Sequence, residues 1–178
     1  MNFLNITVPV NLFPLTWLTK SGKLFMQAGY KTMLYDMTTL TETYLPDMPY
    51  AQRVYPASAA AVMLPLTPAN GYTETILFCG GSAVNLAKST DAGAMFNVTA
   101  VAADASCVRI NPDDANPTYS DDDSLPEGRS MGQLIYLPDG TLWLGNGVEM
   151  GTAGYGDDKY SIGQSYGQAP VYMPAIYK

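Results

Sequence analysis

Histidine is absent from these 178 residues. The commonest general base and the commonest metal ligand are therefore missing, and no Ser-His-Asp or Cys-His catalytic arrangement can be assembled. Basic residues are also scarce. Nine lysines and arginines stand against 16 acids, a formal net charge of −7, which argues against a nucleic-acid binder with its basic stripe for phosphates. Only 14% of residues are charged while 47% are hydrophobic, and this excludes a disordered polyelectrolyte. No stretch approaches the ~20 apolar residues that span a bilayer, so no membrane segment is expected. The longest charge-free stretch, Met1 to Thr19, is broken by Asn2, Asn5, Asn11 and two prolines. It has neither a basic n-region nor a small-residue cleavage pattern, and it reads as a buried strand, with no clear signal peptide. The length suits one ordinary domain with a sizeable core.

Helical periodicity is nearly absent too, and 16 glycines and 13 prolines punctuate the chain. Short β-branched and aromatic runs between turn signals take its place: Lys23–Gln27, Thr75–Cys79 and Thr141–Leu144. Ser21-Gly22, Asn70-Gly71 and Asp139-Gly140 precede them and suit two-residue hairpins with φ > 0. The expectation is an all-β fold. The three hairpins resemble one another. Asn11-Leu12-Phe13-Pro14, Arg53-Val54-Tyr55-Pro56 and Arg129-Ser130-Met131-Gly132 each lead into one of them. The turn glycines recur at intervals of roughly 50 and roughly 70 residues, near the period of kelch-type propeller blades, each a four-stranded sheet. The longer interval holds the small-residue stretch Ser82 to Ser106, which reads as a loop inserted between strands. Outer strands are expected at Thr32–Asp36 and Glu42–Leu45 in the first unit, and at Cys107–Ile110 and Thr118–Ser120 in the second. In the third unit only Pro170–Pro174 remains. The approximate blades are 1–49, 50–125 and 126–178, and three partial blades do not close a ring.

Several motifs in order carry a family resemblance: Arg53–Ser58, Met63–Leu66, Leu77–Gly81, Leu125–Gln133, Leu137–Gly140, Gly145–Gly147 and Gly151–Tyr155. Over nearly its whole length the chain resembles the glyoxal oxidase branch of the fungal copper radical oxidases, with galactose oxidase a more distant relative. The resemblance implies a seven-bladed kelch-type β-propeller, of which this chain would form about three blades. It also implies a secreted enzyme that oxidises aldehydes or alcohols with O₂ and releases hydrogen peroxide. The family's single copper is held by two tyrosines and two histidines, one tyrosine being cross-linked to a cysteine as the radical cofactor. None of these five residues can be placed on this sequence, so neither catalytic nor metal-binding residues are expected and no cofactor is assigned to the chain. Tyr55 lies in a segment similar to the family's Arg-x-Tyr-His ligand motif, but Pro56 stands where the histidine would be. It reads as a blade-repeat echo. Cys79, in Phe-Cys-Gly-Gly, reads as structural.

Cys79 and Cys107 are the only cysteines, and two arrangements are open to them. A disulfide is allowed in a secreted protein and would tie down the 82–106 insertion; otherwise they are two buried thiols. Asn5-Ile6-Thr7 and Asn97-Val98-Thr99 are N-glycosylation sequons. Asp113-Asp114, Asp121–Asp123 and Asp157-Asp158 lack EF-hand spacing and read as solvated acidic loops. Gly145–Gly147 and Gly151–Gly154 open no amphipathic helix, so they read as tight strand ends, not phosphate cradles. Trp17, Trp143 and 13 tyrosines read as inter-sheet packing before a carbohydrate platform.

The leading expectation is the scaffold portion of a glyoxal oxidase-like copper radical oxidase, truncated at both ends and inactive alone. Its partners would be the remaining blades, with a small aldehyde as substrate only in the intact enzyme. The alternative is a non-enzymatic kelch-like module binding a glycan or a protein. A partial propeller is expected to leave the outer faces of its first and last sheets unpacked, and so not to form a compact monomer.

Overall fold

Short antiparallel strands build the architecture, and a computed structural model describes residues 1–84, 97–156 and 165–178. Sheet 1 is an antiparallel meander of β1 (Leu15–Leu18), β2 (Leu24–Ala28), β3 (Lys31–Asp36) and β4 (Thr41–Leu45). Sheet 2 repeats it with β5 (Ala60–Met63), β6 (Ile76–Cys79), β7 (Cys107–Ile110) and β8 (Ser120–Asp122). Sheet 3 has the order β13-β10-β9, from β9 (Gln133–Tyr136), β10 (Leu142–Gly145) and β13 (Ala175–Tyr177). Between β10 and β13 the chain makes a separate ribbon of β11 (Val148–Met150) and β12 (Gln168–Pro170). The all-β expectation holds: apart from one short helix and two 3-10 turns, every regular element described is an antiparallel strand.

The pleat sends alternate residues to opposite faces, and each sheet lays one face on its neighbour. Trp17, Phe25, Leu34 and Leu45 of sheet 1 meet Ile76, Phe78, Val108 and Ile110 of sheet 2. The Trp17 and Phe78 rings pack edge to face with centroids 5.5 Å apart, which is where Trp17 finds its packing role. The other face of sheet 2, with Ala60, Leu77, Cys79 and Cys107, meets Leu142, Leu144, Ala175 and Tyr177 of sheet 3. Acidic residues reinforce the first junction, Asp113 from the loop after β7 and Asp121 from β8, where a loop was expected. Asp113 accepts hydrogen bonds from the backbone N–H and hydroxyl of Ser21, both at 2.7 Å, and Asp121 accepts one from the Tyr50 hydroxyl at 2.8 Å.

Several local expectations are corrected. The Met1–Thr19 stretch is not one buried strand: Asn2–Ile6 forms a helix, α1, and only Leu15–Leu18 joins a sheet. The helix lays Phe3 and Leu4 on Met26, Ala28 and Met33, so the outer face of sheet 1 is covered and not bare. Two of the hairpins turn over three residues instead of two. In Lys20–Gly22 and Pro138–Gly140 the glycine N–H bonds back to Thr19 or Leu137 (2.9 and 3.0 Å). Both glycines sit at positive φ (+78° and +86°), the arrangement of a type I turn closed by a left-handed residue. Asn70-Gly71 makes no hairpin turn; it ends a 3-10 turn capped reciprocally by Thr67 and Asn70. The last strand of sheet 2 is Ser120–Asp122, not Thr118–Ser120. Of the expected strand Pro170–Pro174 only Pro170 lies in a strand, at the end of β12, and residues 171–174 link β12 to β13; neither Pro170 nor Pro174 has an N–H to donate into a ladder.

Candidate functional site

The lead-in segments before β5 and β9 carry the two largest fully buried side chains among the described residues, Arg53 and Arg129. Each sits in a fork where two strands separate. Arg53 Nη1 donates to the carbonyls of Gly80 (2.6 Å) and Ser106 (2.9 Å), the residues flanking β6 and β7. Its Nη2 donates to the Ser106 hydroxyl at 2.8 Å and lies 3.9 Å from Asp104. Burial lowers the Arg53 guanidinium to about 10, against the opposing pull of Asp104. Arg129 repeats the device one sheet further on. Its Nη1 donates to Asn146 O (2.9 Å), just past β10, and its Nη2 to Met173 O (3.0 Å), just ahead of β13, with Glu127 as its acid partner. Sheet 1 needs no such plug, because Gly29-Tyr30 closes β2 onto β3 directly, with Ala28 opposite Lys31.

Glycines make room for these backbones. Gly80, at φ +81°, has no space for a side chain: a Cβ would lie 2.1 Å from Arg129 O. At Gly81 a Cβ would meet Gln52 O at 2.4 Å. The Gly80-Gly81 pair is thus wedged between the two lead-in segments. At Gly147 a Cβ would meet Ser130 O at 2.6 Å, so this glycine marks a tight strand end, as the sequence suggests.

Above this end lies a layer made by the two insertions. Ala102 bridges to Met150 and Ser130 to Val148, and Val10, Val54, Val84 and Val98 form its small core. Tyr55, Pro56, Val98, Thr152–Tyr155 and Tyr166 line a cavity of about 290 Å³ there, and no acidic or basic side chain is among them. Such a lining can pack against or hydrogen-bond a neutral group and offers no charged acid–base pair.

Among the described residues no three His, Cys, Asp or Glu side chains gather as a metal site. With no histidine in the chain and both cysteine sulfurs joined to each other, the residues present do not fit a copper ion. Tyr55 lies at the cavity and pairs edge to face with Phe13 (5.6 Å), its counterpart in the preceding lead-in segment. Cys79 and Cys107 lie directly opposite each other in register on β6 and β7, both buried. The sequons stay apart: Asn5 is exposed on α1, and Asn97 is exposed ahead of a 3-10 turn and accepts the Thr99 hydroxyl proton at 2.6 Å. Asp157-Asp158 lie outside the described residues. Sequence reasoning gave Arg53 and Arg129 no role, although a signal was present: two of only nine basic residues stand at the same place in successive repeats.

Fold and site together define a stack of antiparallel β-sheets in which buried arginines clamp the forks of two of them. A family model described as Glyoxal oxidase N-terminus matches residues 2–178. The chain belongs to that family. It is similar to a putative aldehyde oxidase, Art an 7, of Artemisia annua, 31% identical over 151 residues that make up 83% of this chain and 25% of that protein. It is also similar to the aldehyde oxidase GLOX of Vitis pseudoreticulata, 30% identical over 172 residues, 94% of this chain and 29% of that protein. The chain therefore spans under a third of these curated relatives' length. Among solved structures it resembles YjhT in fold, with a TM-score of 0.51 at 11% identity, covering 79% of this chain and 45% of that one.

Proposed function

We propose that this chain is the scaffold portion of a glyoxal oxidase-like copper radical oxidase, forming about three blades of a seven-bladed kelch-type propeller. In the intact protein the other blades supply the copper ligands, and a small aldehyde or alcohol is oxidised by O₂ with release of hydrogen peroxide. The observation that supports this reading is a family match over residues 2–178 in a chain without one histidine. The chain alone should then bind no stoichiometric copper after exhaustive dialysis and yield no peroxide from methylglyoxal or simple alcohols. One tightly held copper per chain, with a radical absorption band on oxidation, would overturn it.

The intact protein is secreted in this reading, with Asn5 and Asn97 as glycan acceptors and Cys79 paired with Cys107. The cysteines are 28 residues apart, for which chain-entropy models give roughly 3–4 kcal/mol of stabilisation. Peptide mapping without reductant should recover the two cysteines in one linked fragment from material made in an oxidising compartment. Two alkylatable thiols in that material would count against the pairing.

A further inference from the structure

The uncharged cavity in the insertion layer adjoins a glycosylation sequon. Val98, the middle residue of Asn97-Val98-Thr99, is buried and lines the cavity, while Asn97 beside it is exposed. Consecutive Cα atoms lie about 3.8 Å apart, so a group carried on the Asn97 side chain starts at the cavity's edge. The Asn97 carbonyl oxygen accepts the Thr99 hydroxyl proton at 2.6 Å. Its Nδ2, the atom that bears an N-linked sugar, is bonded to nothing among the described residues. The other sequon differs, because the Thr7 hydroxyl is buried and donates to Phe3 O at 2.9 Å.

Main-chain bonds hold the cavity walls in place. Ala153 N–H donates to Pro56 O (2.9 Å), Tyr166 N–H to Gly154 O (3.0 Å) and Gly151 N–H to Val101 O (2.8 Å). Tyr55, Tyr155 and Tyr166 supply the ring faces, and none of their hydroxyls is hydrogen-bonded to a described residue. Tyr155 is 82% exposed, an aromatic ring on an anchored main chain with no packing partner of its own. Such walls suit a neutral group with an apolar face of C–H bonds for the rings and hydroxyl or amide groups for the phenols. A chain of net charge −7 disfavours an anion. At about 290 Å³ the cavity falls just below the range for drug-sized ligands, which leaves room for a single sugar ring. None of the lining residues lies on a strand of sheet 1 or sheet 3, the two ends of the stack.

We propose that the first sugar of an N-linked glycan on Asn97, an N-acetylglucosamine, seats in this cavity against Tyr155. The attachment is the host's reaction: Nδ2 displaces the pyrophosphate of a lipid-linked oligosaccharide at the anomeric carbon and gives up one proton. A sugar tethered one residue from the cavity has a high effective concentration there, so a small contact suffices to hold it. Seated, it ties the Val98–Ala100 turn to the segment around Tyr155. The inference rests on the reading of Asn97 as a glycan acceptor and not on the copper reading.

The full chain carrying Asn5→Gln, secreted by a eukaryotic host and trimmed by an endoglycosidase to one N-acetylglucosamine, tests it. In proton NMR the acetyl methyl should move upfield under the tyrosine rings, with nuclear Overhauser contacts between the sugar and Tyr155. Tyr155→Ala, at an exposed position, should keep the sheet signal in far-ultraviolet circular dichroism and return the methyl to its free position. The one-sugar form should also melt above an Asn97→Gln chain, and Tyr155→Ala should abolish that difference. A secreted chain with Asn97 unmodified overturns both the inference and the acceptor reading. A sugar on Asn97 whose methyl sits at the free position, without contact to a tyrosine, overturns the inference alone. So does an upfield shift or a melting difference that survives Tyr155→Ala. If that variant loses its sheet signal, the sugar contacts in the chain with Tyr155 intact decide the matter.

Discussion

Arg53→Met is expected to lower stability by about 3–5 kcal/mol, the usual penalty for removing one partner of a buried, hydrogen-bonded charge. Methionine fills much of the volume but donates nothing. The Gly80 carbonyl would lose its donor, the Ser106 carbonyl would keep only the Gly80 N–H at 3.0 Å, and Asp104 would lose its cation. Against a total stability of about 5–15 kcal/mol for an ordinary domain, that is a third or more. Urea denaturation reads it as a fall in midpoint at constant slope. A loss below about 1 kcal/mol would mean that water reaches the fork and that the guanidinium is not the clasp. Arg129→Met should behave alike. The two are not expected to add, because Gly81 N–H donates to Arg129 O and Gly80 O accepts from Arg53, which places both clasps on one short segment.

Gly80→Ala carries the second large effect, and the protein contains its own control. Gly22 and Gly80 have nearly the same φ, +78° and +81°, so alanine meets a left-handed strain of about 1–2 kcal/mol at either place. They differ in their surroundings. Nothing lies within 4 Å of a Cβ at Gly22, whereas at Gly80 it would sit 2.1 Å from Arg129 O. That neighbour is backbone, held by the Arg129 N–H to Asp104 O bond at 3.0 Å, and cannot swing aside as a side chain would. Gly22→Ala should therefore cost about 1–2 kcal/mol, and Gly80→Ala about 2–5 kcal/mol once overpacking adds its further 1–3 kcal/mol. Thermal or urea unfolding of the two side by side isolates the close approach. Equal losses would show that the lead-in segment yields and that the wedge is soft.

Strand positions were legible in the sequence where alternation and turn chemistry agreed. Lys23–Gln27, Thr75–Cys79 and Thr141–Leu144 cover the second strand of each of the three stacked sheets, because such inner strands are apolar on both sides and end at a glycine or close to one. Loop geometry was less legible. A two-residue and a three-residue hairpin share the same Ser-Gly or Asp-Gly signal, and the difference lies in whether Thr19 and Leu137 continue the ladder. The α1 segment could not be recognised from its own residues, because Asn-Phe-Leu-Asn-Ile has no cap and no helical stripe; contact with Met26 and Met33 holds it. The Arg53 and Arg129 clasps were half legible. Their repeat position stood in the sequence, but the carbonyls they bind are scattered up to Ser106 and Met173, and only the fold gathers them.

Both insertions enter at one point of the repeat, between the second and third strands, and the guanidinium below each closes the gap it leaves. The sheets are thereby insulated from whatever the chain does above them. Lengthening a loop whose ends are pinned costs only about 0.6 kcal/mol for each doubling, less than the loss of a single hydrogen bond to a buried arginine. Descendants of such a chain can therefore rewrite this one rim, adding or deleting a dozen residues at a time, while the stack beneath keeps its register.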